Sequence, residues 1–138
     1  MELTMIRQWL SGFPGFAGCS WEEDRLPHKP GTVSLLSKGI QTVAEKEDLL
    51  GNRRTTLRFT CTVAFSGNGQ AQTLWDLQHW VARQSHIGGC PRLGQGKTSA
   101  ALEDGRHLTN NKLGLDLYTA QLKLTYEIDY EVNENGED

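Results

Sequence analysis

Apolar and polar residues alternate without interruption from Tyr118 to Tyr130. Tyr118, Ala120, Leu122, Leu124, Tyr126, Ile128 and Tyr130 share one parity, while Thr119, Gln121, Lys123, Thr125, Glu127 and Asp129 share the other. A period of two sends successive side chains to opposite faces of a sheet, whereas a 3.6-residue period would scatter these residues around a helix axis. The stretch predicts a long strand with one apolar, aromatic face that needs cover and one polar face. Arg53 to Phe65 repeats the pattern: Leu57, Phe59, Cys61, Val63 and Phe65 lie on one face, Arg54, Arg58, Thr60 and Thr62 on the other. Its β-branched and aromatic residues are those strands prefer.

Two other stretches carry the helical period. Leu3, Ile6 and Leu10 recur at i, i+3, i+7, with Met5 and Trp9 beside them, and Ser11-Gly12 and Pro14-Gly15 end the pattern. This short helix either docks on the sheet by its stripe or faces a partner. Thr73 to Ser85 is the stronger helix, with Leu74, Leu77 and Val81 as its stripe and Trp80 alongside. Trp75 falls roughly 100° from the stripe and either borders it or meets a partner. Thr73 and Asp76 fit an N-terminal capping pattern, although Glu or Gln is preferred at the second position.

Between these elements the pattern weakens. Gly15 to Gly31 reads as a loop, pinned by Trp21. Val33 to Leu36 predicts a short strand and Ile40 to Lys46 a second, joined by Ser37-Lys38-Gly39. Asp48 to Asn52 ends in a turn signal. Gly88 to Asp116 is poorly periodic; Thr98 to Leu102 and Arg106 to Thr109 are expected as short strands joined at Asp104-Gly105. Structureless loops beyond about 15 residues are uncommon in compact domains, so part of this segment is expected to be mobile or ordered by a neighbour. Glu131 to Asp138 is acidic and predicts a solvated, flexible tail. The series describes a single α+β domain over 1–138: a mixed or antiparallel sheet of about four to five strands, with one long helix and a short N-terminal helix packed on one face.

Length adds a constraint. The strand at 118–130 spans roughly 43 Å at about 3.3 Å per residue. A compact chain of 138 residues has a radius of gyration near ~14 Å, hence a width of about 37 Å. If unbroken, this strand and the similar one at 53–65 project past the body and present unpaired backbone groups that another chain can satisfy. A bulge or bend would instead keep each inside the monomer.

The net charge of −3 argues against a protein that grips nucleic acid through a basic face. The three cysteines, Cys19, Cys61 and Cys90, cannot all pair and form no C-x-x-C, which suits a reduced intracellular setting. Cys61 falls on an apolar strand face and reads as a small hydrophobe. No apolar run approaches the ~20 residues of a membrane span, and MELTMIRQWLSGF lacks the form of a signal peptide.

The candidate chemistry is thin. Gly94-Gln95-Gly96-Lys97-Thr98 superficially matches a phosphate loop, but Pro91 stands where the first glycine belongs and no strand precedes it. His28, His79, His86 and His107 have no spacing that specifies a metal; His86 and Cys90 are separated by Gly88-Gly89. Ser66 lies in a strand-to-helix connection, but Ser66-Gly67-Asn68-Gly69 is not a nucleophile elbow. Glu127 and Asp129 share a strand face about 7 Å apart, suited to acid–base work in a pocket but otherwise to a solvated face paired across strands with Arg54 or Arg58. No catalytic, cofactor-binding or metal residue is assigned, and the expectation is a non-enzyme without cofactors.

The element order resembles the small tail terminator, or minor capsid (head–tail joining), proteins of tailed bacteriophages and prophages. The long strand RRTTLRFTCTVAF, the helix TLWDLQHWVARQ and the final strand LYTAQLKLTYEIDYE carry the likeness, which runs from about Pro30 onward. The glycine-rich run Gly88 to Lys97 departs from it. The resemblance implies an antiparallel sheet flanked by helices. It also implies a ring of identical subunits, usually a hexamer, that caps the tail tube and meets the head connector. The implied partners are other copies of the chain, the tail tube protein and the head-connector protein, with transient DNA passage and no membrane; the location is the virion neck, assembled in the host cytoplasm. An acidic chain suits a DNA conduit, since a basic lumen would hold the polymer. The alternatives are another virion or secretion-tube component, or an unrelated small α+β ligand-binding domain or enzyme. The last would need a deep closed pocket lined by convergent polar groups.

Overall fold

A computed structural model describes residues 2–67, 71–110 and 115–130. Helix α1 (Glu2–Leu10) and a single 3₁₀ turn at Pro14–Phe16 lead into strand β1 (Ser20–Glu23). Strands β2 (Thr32–Glu47) and β3 (Arg53–Gly67) follow, then helix α2 (Ala71–Ile87) and strands β4 (Gln95–Asn110) and β5 (Leu115–Tyr130). The five strands form one mixed sheet in the order β1-β2-β3-β5-β4. β1 runs parallel to β2, and the other pairings are antiparallel. The fold is the expected α+β arrangement, with both helices packed against the sheet.

The two alternating stretches meet at the middle of the sheet. β3 and β5 pair in one unbroken register, from Arg53 opposite Tyr130 to Gly67 opposite Asp116. Directly opposed residues share a face, so Phe59, Cys61, Val63 and Phe65 join Tyr118, Ala120, Leu122 and Leu124 in one apolar layer. The stripes of α1 (Ile6, Leu10) and α2 (Leu77, Val81) bury against it completely. The short N-terminal helix is thus a core element. Aromatic rings seal the entry: Phe16 packs edge-on against Phe13, Trp21 and Phe65, and Trp9 lies against Trp80. Trp21 pins its segment as anticipated.

Several boundaries differ from expectation. The stretch 32–47 is one strand; a shift of register between Ser37 and Gly39 replaces the predicted connection. Gly39 adopts φ +120° with open space at its Cβ position, a conformation that lets a glycine absorb an extra residue as a bulge. The stretch 95–110 is likewise one strand along β5, with a bulge between Glu103 and Arg106 where a hairpin was expected. At that bulge Gly105 approaches α2 so closely that a Cβ would lie 3.0 Å from Leu74 Cδ2. Much of the segment expected to be mobile is therefore ordered by pairing within the chain. The supposed loop 15–31 contains β1, too short to show a period. Helix α2 spans Ala71–Ile87, so Thr73 lies within the helix and not ahead of it, and Asp76 Oδ1 accepts a hydrogen bond from Gln72 Nε2 at 2.9 Å. The acidic stretch 131–138 lies outside the described residues.

On the opposite face of the sheet, the β1–β2 connection is fastened to β3. Ser66 Oγ donates to Lys29 O and accepts from Thr32 N, while Gly31 N donates to Ser66 O. Pro27, Thr32, Ser34 and Ala64 are buried beneath this crossover. The Leu77→Ala variant, which empties a site with no solvent access, is expected to lose about 2–5 kcal/mol of stability in urea-unfolding curves.

Candidate functional site

The helical layer covers only part of the sheet. Thr32 to Leu35 of β2 are buried between β1 and β3, but every residue from Ser37 to Glu47 is exposed, on both faces. The cause is the length mismatch within the sheet: β1 stops at Glu23, opposite Leu35, while β2 and β3 continue together to Glu47 and Arg53. The continuation is a projecting hairpin braced on one side by the end of β5, where Thr55 pairs with Ile128 and Leu57 with Tyr126.

Its tip is held by one carboxylate. Asp48 Oδ1 accepts from Leu50 N and Asn52 N, each at 2.9 Å, and Asp48 Oδ2 accepts from Asn52 Nδ2 at 3.1 Å. Asp48 N also donates to Asn52 O. These donors, the Asn52 amide foremost, hold the Asp48 carboxyl below its ordinary value. The fastened turn carries Leu49 fully in solvent and Leu50 at 78% exposure. Ile40, Val43 and Tyr130 add exposed apolar surface along the hairpin and its brace. Pattern reading marks Asp48 to Asn52 only as a turn; two leucines set within turn-forming residues are the signal that could have flagged it.

The acidic pair of the final strand belongs to the same region. Arg54 Nε lies 2.7 Å from Asp129 Oδ1, its second nitrogen donates to Asp129 Oδ2 at 3.2 Å, and Glu127 lies 3.3 Å away. Of the two arginines considered, Arg54 makes the cross-strand pair, while Arg58 Nε points to Thr125 Oγ1 at 3.4 Å. The guanidinium depresses the Asp129 carboxyl, and the carboxylates raise Arg54 in turn. A cleft of about 420 Å³ here is lined by Lys46, Glu47, Asp48, Arg53, Arg54 and Asp129, together with Asn52 and Tyr130. Such a charged lining differs from the mainly apolar walls of small-molecule pockets.

The remaining candidates are dispersed. Gly94 to Thr98 leads into β4 through an irregular stretch, with Gly96 at φ +74° and a break of register between Gln95 and Ser99; Lys97 Nζ donates to His86 O and Thr98 is buried. His28 faces Glu22, His79 rests on Trp75, and His107 stacks on Tyr118 with Nε2 3.1 Å from Asp116. Among the described residues, no group of three or more His, Cys, Asp and Glu side chains is placed to hold a metal ion. Cys61 is fully buried and its thiol is pushed up to about 12 by desolvation, as suits a packing residue. Ser66 is taken up by the crossover. Among the described residues, no helix is long and apolar enough to cross a membrane. No protein-family model matches the sequence, and no curated protein matches it significantly.

The Arg54–Asp129 pair gives a pH-dependent expectation. A carboxyl lowered in the folded state contributes stability above its unfolded pKa and loses that contribution as pH falls through the folded value. Arg54→Gln should therefore be less stable than the parent near pH 7, and the two should converge once the pH is low enough to protonate Asp129 in the folded state, below the ordinary carboxylate range. Urea midpoints measured at both ends check this.

Proposed function

We propose that the chain is a non-catalytic virion protein that assembles into a ring, capping the tail tube of a bacteriophage or prophage and joining it to the head connector. The observation that carries the reading is the projecting β2–β3 hairpin. Its exposed backbone edge and fastened Leu49–Leu50 tip extend past the folded body. Monomeric proteins seldom hold large apolar side chains in solvent at the end of a long open edge strand, because both are templates for association. The tail-terminator resemblance supplies the ring, its hexameric order and the two flanking partners. The net charge of −3 is compatible with a lumen that lets DNA pass.

Electron microscopy of the purified protein is expected to show closed rings, and light scattering a multiple of the 15.4 kDa chain mass. A mass of one chain at every concentration would overturn the reading. A phage strain lacking the protein should make heads and tails that fail to join, or tails of uncontrolled length; normal virions would count decisively against the assignment.

The hairpin tip gives a separate expectation. Leu49→Asp with Leu50→Asp should leave the circular dichroism spectrum unchanged, since neither side chain contributes to the core. The same protein should lose most of its assembled fraction in sedimentation velocity.

A further inference from the structure

We infer that neighbouring subunits join by strand addition: residues 38–42 of β2 in one copy pair antiparallel with residues 100–104 of β4 in the next. Only the closure of the series into a ring rests on the function proposed above; the pairing stands on the sheet itself.

The two edges face opposite ways. β4 is the last strand on one side of the sheet, and beyond Leu35 β2 has no strand on its outer side among the described residues. An exposed edge presents alternate N–H and C=O groups outward. The β2 overhang, Ser37 to Glu47, is roughly 35 Å long, ample for a stable addition. Through β3 and β5 the direction of each strand is fixed: β2 and β5 run one way, β3 and β4 the other. A second copy in the same orientation, placed beside the first, therefore brings β2 against β4 antiparallel. Because the edges are different surfaces, the contact is heterologous and each copy retains one open edge for the next.

Side chains select the register. Directly opposed residues must point to the same face, and a slip of one reverses every side chain. Ile40 opposes Phe59, and Leu102 opposes Leu122, so both point to the helical face. Half-exposed Ile40 finds apolar cover at Leu102, beside a cleft of about 240 Å³ lined by Leu74, Trp75, Ala120 and Gly105. Trp75, 60% exposed, supplies the wall of that cleft. With Ile40 opposite Leu102, antiparallel counting between the bulges sets Gly39 opposite Glu103, Gln41 opposite Ala101 and Thr42 opposite Ala100, and brings the oppositely charged bulge residues Lys38 and Asp104 level. A shift of two residues one way sets Ile40 at the Asp104 bulge, and the other way sets it opposite Ala100 and Lys38 level with Leu102. Charge complementarity and apolar cover thus agree on one register. Relative to its own level in the sheet, Ile40 is displaced by two residues, from Ala100 to Leu102. The offset is roughly 7 Å along the strands, a stagger that tilted strands absorb on closure.

In this register Gln41 lies opposite Ala101; both are exposed and both point away from the helices. Gln41→Cys and Ala101→Cys are made separately in a Cys19→Ser, Cys90→Ser background, with buried Cys61 left in place. After mild oxidation, an equal mixture of the two is expected to give a disulfide-linked dimer on a non-reducing gel, and neither alone to do so. One chain carrying both changes should give a ladder of higher multiples. A dimer from Gln41→Cys alone would show two β2 edges meeting about a two-fold axis and overturn the proposal. No dimer in the mixture, with light scattering still reporting assembled protein, would overturn the pairing and leave the ring reading standing. Monomeric parent protein with no dimer would overturn both. Ile40→Lys is the second variant: with an unchanged circular dichroism spectrum it should lower the assembled fraction at least tenfold, and an undiminished fraction would count against the register.

Discussion

The continuous ladder between β3 and β5 is the constraint on which the rest of the structure depends. It runs without a register shift from the buried middle of the sheet to the exposed base of the hairpin. Bulges fall only in the flanking strands, at Ser37/Gly39 and Thr42/Ala44 of β2 and at Gln95/Ser99 and Glu103/Arg106 of β4. Two strands of strict alternation cannot slip past one another without turning Leu122 or Val63 to solvent. The outer strands have more freedom, and they use it to adjust their twist around a rigid centre. The same ladder carries the fold's order outward: Thr55, two residues from the start of β3, is still buried where it pairs with Ile128.

Much of this was legible in the sequence because alternation is a direct image of burial on one face. The strands at 53–65 and 118–130, helix α1, the core stripe of α2 and the apolar placement of Cys61 all follow from period alone. What failed did so for identifiable reasons. Ser37-Lys38-Gly39 and Asp104-Gly105 are turn-formers by composition, yet each lies within a strand whose both halves have a partner on the same neighbour. A turn there would leave half a ladder unpaired, so tertiary pairing overrides the local signal. β1 was invisible because four residues cannot establish a period, and its place depends on a parallel partner twelve residues later.

The candidate site was less legible, and the difference is physical. Sequence length announced that the strands outrun the body, and the Arg54–Asp129 pair follows from opposite charges at opposed positions. Which end projects, and whether helices cover it, depends on where β1 stops and α2 docks. Leu49 and Leu50 illustrate the limit. A pair of leucines ordinarily signals core, and only the closed circuit of hydrogen bonds around Asp48 makes it a surface feature.

An open edge is also a hazard, since backbone groups pair with any extended chain. Folded proteins commonly restrain such edges with charges, bulges and glycine-induced twist, and the β2 overhang has all of these. Lys38, Glu45, Lys46 and Glu47 stud it, and its register breaks twice. A hydrophobic strand from another protein meets desolvated charges there; a strand with an acid level with Lys38 does not. Charges that lower affinity for most partners raise selectivity for one. On the proposed pairing, the bulged and charged character of β2 and the presence of Asp104 on β4 become two halves of a single device, one that discourages other partners while leaving the chain able to recognise its own opposite edge.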